Sequence, residues 1–166
     1  MMRTTGLAFA FVALSGSCAL AQMPRLLASY DSWSAWTFQE GRTKVCYIYS
    51  DAVSKKPDTL DHGRVGFSMR RHSDGKVRTE AGFLAGYPLA PRAIEVRIDG
   101  KSFTMIPRGK NAWLRREERE AEFLQALLKG RAMTVEAVSA RGNKTSYRFS
   151  LAGVTAAMRK ARLSCP

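Results

Sequence analysis

The stretch PDTLDHGR brings together the residues best suited to reaction chemistry: Asp58, Asp61 and His62. Two carboxylates beside an imidazole can hold a divalent cation or pass protons during a hydrolysis. The same residue types are also common on polar surface loops, and Pro57 points to a loop here. Other catalytic patterns are missing. The sequence has no G-x-S-x-G elbow, phosphate loop, dinucleotide fingerprint or H-E-x-x-H motif, and its cysteines lack zinc spacing. The residues therefore favour a non-enzymatic chain with no cofactor. A hydrolase using Asp58, Asp61 and His62 is the weaker alternative.

Anion binding is a second available chemistry. Arg64, Arg70, Arg71, Lys76 and Arg78 lie close in sequence around His72. If the strands that carry them pair, several share a face and form an anion-binding patch. The competing reading is a solvated outer sheet face. Trp33, Trp36 and Trp113 are able to stack on sugars or bases, although a Trp in a chain of this size more often completes the core. Asn143-Lys144-Thr145 matches a glycosylation sequon, a short pattern that also arises by chance.

The third chemistry is that of the cysteines. The N-terminus has the form of an export signal: Met1-Met2-Arg3, then the apolar run Gly6 to Leu14, then Ala19-Leu20-Ala21. Cleavage before Gln22 makes residues 1–21 a signal peptide and leaves residues 22–166, 145 of the 166, as a single domain. The apolar run is shorter than the ~20 residues a bilayer span requires. No later stretch is apolar enough to cross a membrane. Cleavage removes Cys18 and leaves Cys46 and Cys165. An even count in an oxidising compartment favours a disulfide between them.

Charge bounds the partners. The chain carries 27 Lys and Arg against 14 Asp and Glu, a net +13. Losing Arg3 with the signal leaves 26 against 14, or +12. A surface of that sign attracts polyanions such as lipopolysaccharide or nucleic acid. The basic residues are scattered, however, which solubility alone also explains.

The elements that must position these groups are mostly short strands. Trp33 to Phe38 is extended. In Lys44 to Ser50, Val45, Tyr47 and Tyr49 point one way, and Cys46 and Ile48 the other. Asp51 to Gly63 reads as a loop. Arg64 to Arg70 places Val65, Phe67 and Met69 on one face, and Ser73-Asp74-Gly75 turns the chain into Lys76 to Leu84. Two hairpins follow. One turns at Asp99-Gly100, where both central residues take positive φ. The other turns at Gly142-Asn143, read as a two-residue turn with Gly first. Arg115 to Lys129 has helical periodicity, with Asn111 as its candidate cap and Gly130 as its stop. A second helix runs from about Gly153 to Arg162, with Ser150 or Thr155 near its start and Val154, Met158 and Ala161 inward. Hairpins with no βαβ alternation give an antiparallel sheet protein with two added short helices.

KVCYIYS, GYPL at Gly86 to Leu89, VRIDGKSFTMIPRGKNAW and KGRAMTVEAVSARGNKTSYRFSLAGVTAAMRKARLSC together resemble the invasion-associated locus B family of bacterial envelope proteins. The resemblance spans nearly the whole chain after the signal. It implies a mainly β protein, an antiparallel β-sandwich of immunoglobulin-like outline. It further implies export to the periplasm or outer envelope of a Gram-negative cell and, in host-associated members, a role in entering host cells. Partners would be envelope or host proteins. No catalytic residue is carried over. The matching pair is Cys46 and Cys165. Val154 departs from the larger aromatic expected after the Gly.

Overall fold

The computed structural model describes residues 23–72 and 78–165. The expected signal peptide lies outside them. Strands β1 (Arg25–Tyr30), β2 (Trp33–Glu40) and β3 (Thr43–Asp51) form a meander. The short β4 (Ser54–Lys56) follows, then the hairpin β5 (Gly66–His72) and β6 (Arg78–Leu84). Next come β7 (Ile94–Ile98), β8 (Lys101–Arg108) and β9 (Asn111–Leu114), then helix α1 (Glu120–Lys129). The chain ends with the hairpin β10 (Ala132–Val138) and β11 (Lys144–Ser150), and helix α2 (Val154–Ser164).

All described strands belong to one antiparallel sheet, in the order β1-β2-β3-β5-β6-β9-β8-β7-β10-β11-β4. Its last strand, β4, is only a few residues beyond β3, so the sheet must coil back on itself. Two backbone bonds mark the closure: Ala52 N–H donates to Val65 O (3.0 Å) and Val53 N–H to Arg148 O (2.8 Å). Aromatic side chains meet across the interior, with ring centroids 5.9 Å apart for Phe67–Phe149 and 5.7 Å for Phe83–Tyr147. The expected mainly β, antiparallel class with two helices is what the chain adopts.

Alternation in the sequence carries through to burial. Val65, Phe67 and Met69 are buried together, as are Ile94, Val96 and Ile98. The α1 stripe buries Phe123, Leu124, Ala126 and Leu127. Phe123 fills the space between Phe67 and Phe103, at 5.7 and 4.9 Å between centroids. α2 buries Val154, Ala157, Met158 and Ala161 and packs on β1–β3. No helix among the described residues is long and apolar enough to cross a membrane.

Four local expectations change. The loop from Asp51 to Gly63 contains β4, which pairs with β11. Asn111 caps no helix. It opens β9, because Ala112 and Leu114 alternate into the core while the strand pairs with both β6 and β8. Helical structure begins only with a 3-10 turn at Glu117–Arg119. Gly142, at φ +86°, closes a three-residue loop in which Gly142 N–H donates to Ser139 O and Ser139 N–H to Asn143 O, so the turn is longer than a two-residue one. α2 has no side-chain cap. It starts at Gly153 with φ +89°, where a Cβ would sit 1.9 Å from Tyr30 O. Asp99-Gly100 keeps the expected positive φ at both residues.

Candidate functional site

The outer face of the sheet is unusually rich in aromatic side chains. Alternation sends Trp36, Tyr47, Tyr49 and Trp113 outward, all half-buried. Register aligns Trp36 with Tyr47, then Arg70, then Glu80 across four strands. A neighbouring row runs Ser34, Tyr49, Ser68, Gly82, Trp113 and Ile106. Outward side chains of an antiparallel sheet are usually polar, so this composition marks the face as special.

At the Trp113 end the face drops into an open cleft of about 620 Å³. Trp113, Leu114 and Ile106 supply apolar lining, and Ile106 is 40% exposed. Arg108 and Arg115 line it with positive charge, and Glu80, Glu117 and Glu120 with negative. Neither guanidinium has an ion-pair partner among the described residues. A second cleft of about 540 Å³ shares Thr79, Glu117 and Glu120 with the first and continues between the helices to Arg71 and Arg162. A space of this size holds a small organic ligand or one unit of a polymer.

Glu120 stands at the junction. Its Oε1 accepts a hydrogen bond from Ala81 N–H (3.2 Å), while Oε2 is buried without a partner. Burial pushes its pKa up to about 7; the Ala81 N–H works against this, and the nearby Glu80 and Glu117 carboxylates add to it. The carboxyl can therefore be donor or acceptor near neutral pH. This cleft was not legible beforehand, since β6, β8–β9 and the 3-10 turn each contribute one wall.

The expected basic patch is divided by the pleat. Arg70 and Arg71 are consecutive in a strand and point to opposite faces. Arg70 pairs with Glu40 and lies over the Phe38 ring, 5.6 Å from its centroid. Arg71 turns inward, where its Nε–H donates to Cys165 O (3.0 Å). Lys44 Nζ donates to Ser164 O (2.8 Å), so two cations meet the carbonyls that end α2. Arg64 lies over the Tyr49 ring (4.9 Å) and donates to Asp51 Oδ1 (3.3 Å). Burial, then hydrogen bonding to Asp51, pushes the Tyr49 pKa up to about 12. Lys76 lies outside the described residues, as does the Arg78 side chain.

The Asp58, Asp61 and His62 group is arranged for structure. His62 is buried, 6% exposed. Its Nε2 must carry a proton to bond Pro57 O (2.8 Å), and its Nδ1 lies 2.9 Å from the Tyr147 hydroxyl. That hydroxyl is 2.6 Å from Tyr87, which is 2.6 Å from the Thr145 hydroxyl. Both ring nitrogens are thus engaged in a polar chain inside the core. Asp58 pairs outward with Lys56 (2.5 Å), and Asp61 Oδ1 accepts from Gly63 N–H (2.9 Å). The three residues share no site, and no metal-holding cluster is found among the described residues.

Trp33 belongs to the core at 1% exposure, and its Nε1–H donates to Ser150 O (2.9 Å). The sequon starts at Asn143 in the β10–β11 loop and runs into β11, with Thr145 buried. Cys46 and Cys165 are joined, with Cα atoms 5.9 Å apart, inside bridging range.

No match is found among curated proteins, and none among solved structures. The family described as Invasion associated locus B (IalB) protein matches residues 33–162, which hold every strand from β2 onward, the Trp113 cleft and Cys46. The chain is a member of the invasion associated locus B family.

Proposed function

We propose that the chain is an exported, non-enzymatic envelope protein that binds a partner through the outer sheet face and the Trp113 cleft. Residues 1–21 are its signal peptide, and residues 22–166 form one domain of sandwich-like outline. The Cys46–Cys165 bond suits an oxidising compartment such as the periplasm. The observation that carries the reading is the cleft of about 620 Å³ at the end of an aromatic outer face, lined by charges of both signs around Trp113. The partner is an envelope or host protein, or a component of the surface itself.

The test is cross-linking in intact envelopes with a photoreactive residue placed at the exposed Ile106. A specific adduct that disappears when Trp113 is also changed to Ala is expected. Recovery of the protein alone, at every position tried along the face, would refute the reading.

One observation favours a second reading, binding to a polyanion. α2 carries Arg159, Lys160 and Arg162 and no acidic residue, and Arg159 and Arg162 are exposed. Its anion surface would therefore be α2 rather than the divided Arg64–Arg78 cluster. Binding to lipopolysaccharide or nucleic acid should weaken steeply as salt rises. Salt-independent binding, or none, would exclude it.

A further inference from the structure

We infer that the Trp113 cleft is a saccharide site that takes an uncharged pyranose unit of a glycan chain. The inference rests on the reading that this cleft is the binding surface, and it names the ligand class. The first argument is electrostatic. The chain carries a net +13, yet the cleft sets the carboxyls of Glu117 and Glu120 against the guanidinium groups of Arg108 and Arg115. Farther along the same face, Arg64 is paired with Asp51 and Arg70 with Glu40. A polyanion would meet carboxylates here, and a cationic ligand would meet guanidinium groups. A neutral ligand matches the balance.

The second argument is the kind of contact on offer. A sugar hydroxyl both donates and accepts. One pyranose can therefore accept from Arg108 and Arg115 while it donates to Glu117. Glu120 backs the same wall, its Oε1 held by Ala81 N–H and its Oε2 buried. The C–H face of a pyranose is apolar and flat enough to lie on an indole ring, and Trp113 with Ile106 forms that floor.

The third argument is continuity. Trp113, Gly82, Ser68 and Tyr49 stand side by side on neighbouring strands. Strands lie ~4.8 Å apart, so Trp113 and Tyr49 are roughly 14 Å apart along this row. The floor between them consists of a glycine and a serine. A chain of sugars leaving the cleft can cross this low stretch and reach Tyr49 and Trp36.

The test is titration of the purified chain with hexamers of N-acetylglucosamine and of glucose, with heparin hexasaccharide and a tripeptide as comparisons, followed by tryptophan fluorescence. A neutral hexamer should bind with little change as sodium chloride is raised. Trp113→Ala should weaken it at least about tenfold, Trp113→Tyr should recover most of the loss, and Arg159→Ala on α2 should leave it unchanged. Thermal melts of each variant separate lost binding from lost folding, and Trp36→Ala reports on the outer row independently of the cleft. Binding only to heparin, binding only to the tripeptide, or no neutral-sugar binding at millimolar concentration would overturn the inference. So would a dimer that dissociates on Trp113→Ala. If the sugars fail while the Ile106 cross-link still depends on Trp113, the cleft remains a binding surface for a different ligand class. If the cross-link also fails, the binding reading falls with it.

Discussion

Replacing Cys165 with Ser, with Cys46→Ser alongside to avoid a stray thiol, should cost more than any other exchange of similar size. The bond closes a sequence separation of 119. Chain-entropy reasoning gives about 5 kcal/mol at 25 °C for a loop of that length. A domain of this size has a total stability of roughly 7–20 kcal/mol, so the loss is a substantial share of it. Little is lost from the folded side. Arg71 and Lys44 bond to backbone carbonyls at Cys165 and Ser164, which the substitution leaves in place. The buried face of α2 is also untouched. The effect therefore arises mainly from a freer unfolded chain. With a urea m-value of about 2 kcal/mol/M, the midpoint should fall by roughly 2.5 M. Urea unfolding followed by the buried Trp33 measures it, and reduced wild type should superpose on the double variant. Equal midpoints for oxidised and reduced protein, or two free thiols in unreduced denatured wild type, would refute the reasoning.

Gly153→Ala should destabilise by at least about 2 kcal/mol, because φ is +89° and the new Cβ would lie 1.9 Å from Tyr30 O; a melting temperature within a degree of wild type would contradict this. Glu120 has a folded pKa near 7, above its ordinary 4.5. The folded state thus holds its proton more tightly, and the stability present below pH 4.5 declines as pH rises to about 7 and is flat above it. Glu120→Gln keeps the acceptor for Ala81 N–H, so it should flatten that decline and raise stability at pH 8. Urea midpoints at pH 5 and 8 check both points.

Much of the sheet was legible because alternation is a strong signal when it lasts. Val65-Phe67-Met69 and Ile94-Val96-Ile98 each give three inward positions. β4 and β9 were missed because three or four residues carry too little alternation to stand out. Asn111 suits a helix cap locally, in NAWLRREE, while β6 and β8 on either side impose a strand. The Arg64–Arg78 cluster shows a different limit. Parity alone separates Arg70 from Arg71, but nothing nearby in sequence reveals that Arg71 ends on a carbonyl 94 residues away. Trp33 and Trp113 look alike as letters, yet one fills the core and the other lines a cleft. The expectation of export rests on residues 1–21 and on the disulfide, and only the disulfide lies among the described residues.

The tie between the two ends of the chain also sets a clock. Trp33 bonds Ser150, Lys44 bonds Ser164 and Cys46 joins Cys165, all across separations of 117 to 120 residues. The inner face of β1–β3 stays uncovered until α2 has been made and delivered. At ribosomal speeds that delay is on the order of 10 s, long compared with the microseconds in which a hairpin forms. A chain that folded as it was made would hold an aromatic-rich meander with its apolar side open for that interval. Keeping the chain unfolded until α2 arrives avoids that exposure. Loss of α2 to premature termination would then leave a sticky half-sheet rather than a smaller working protein.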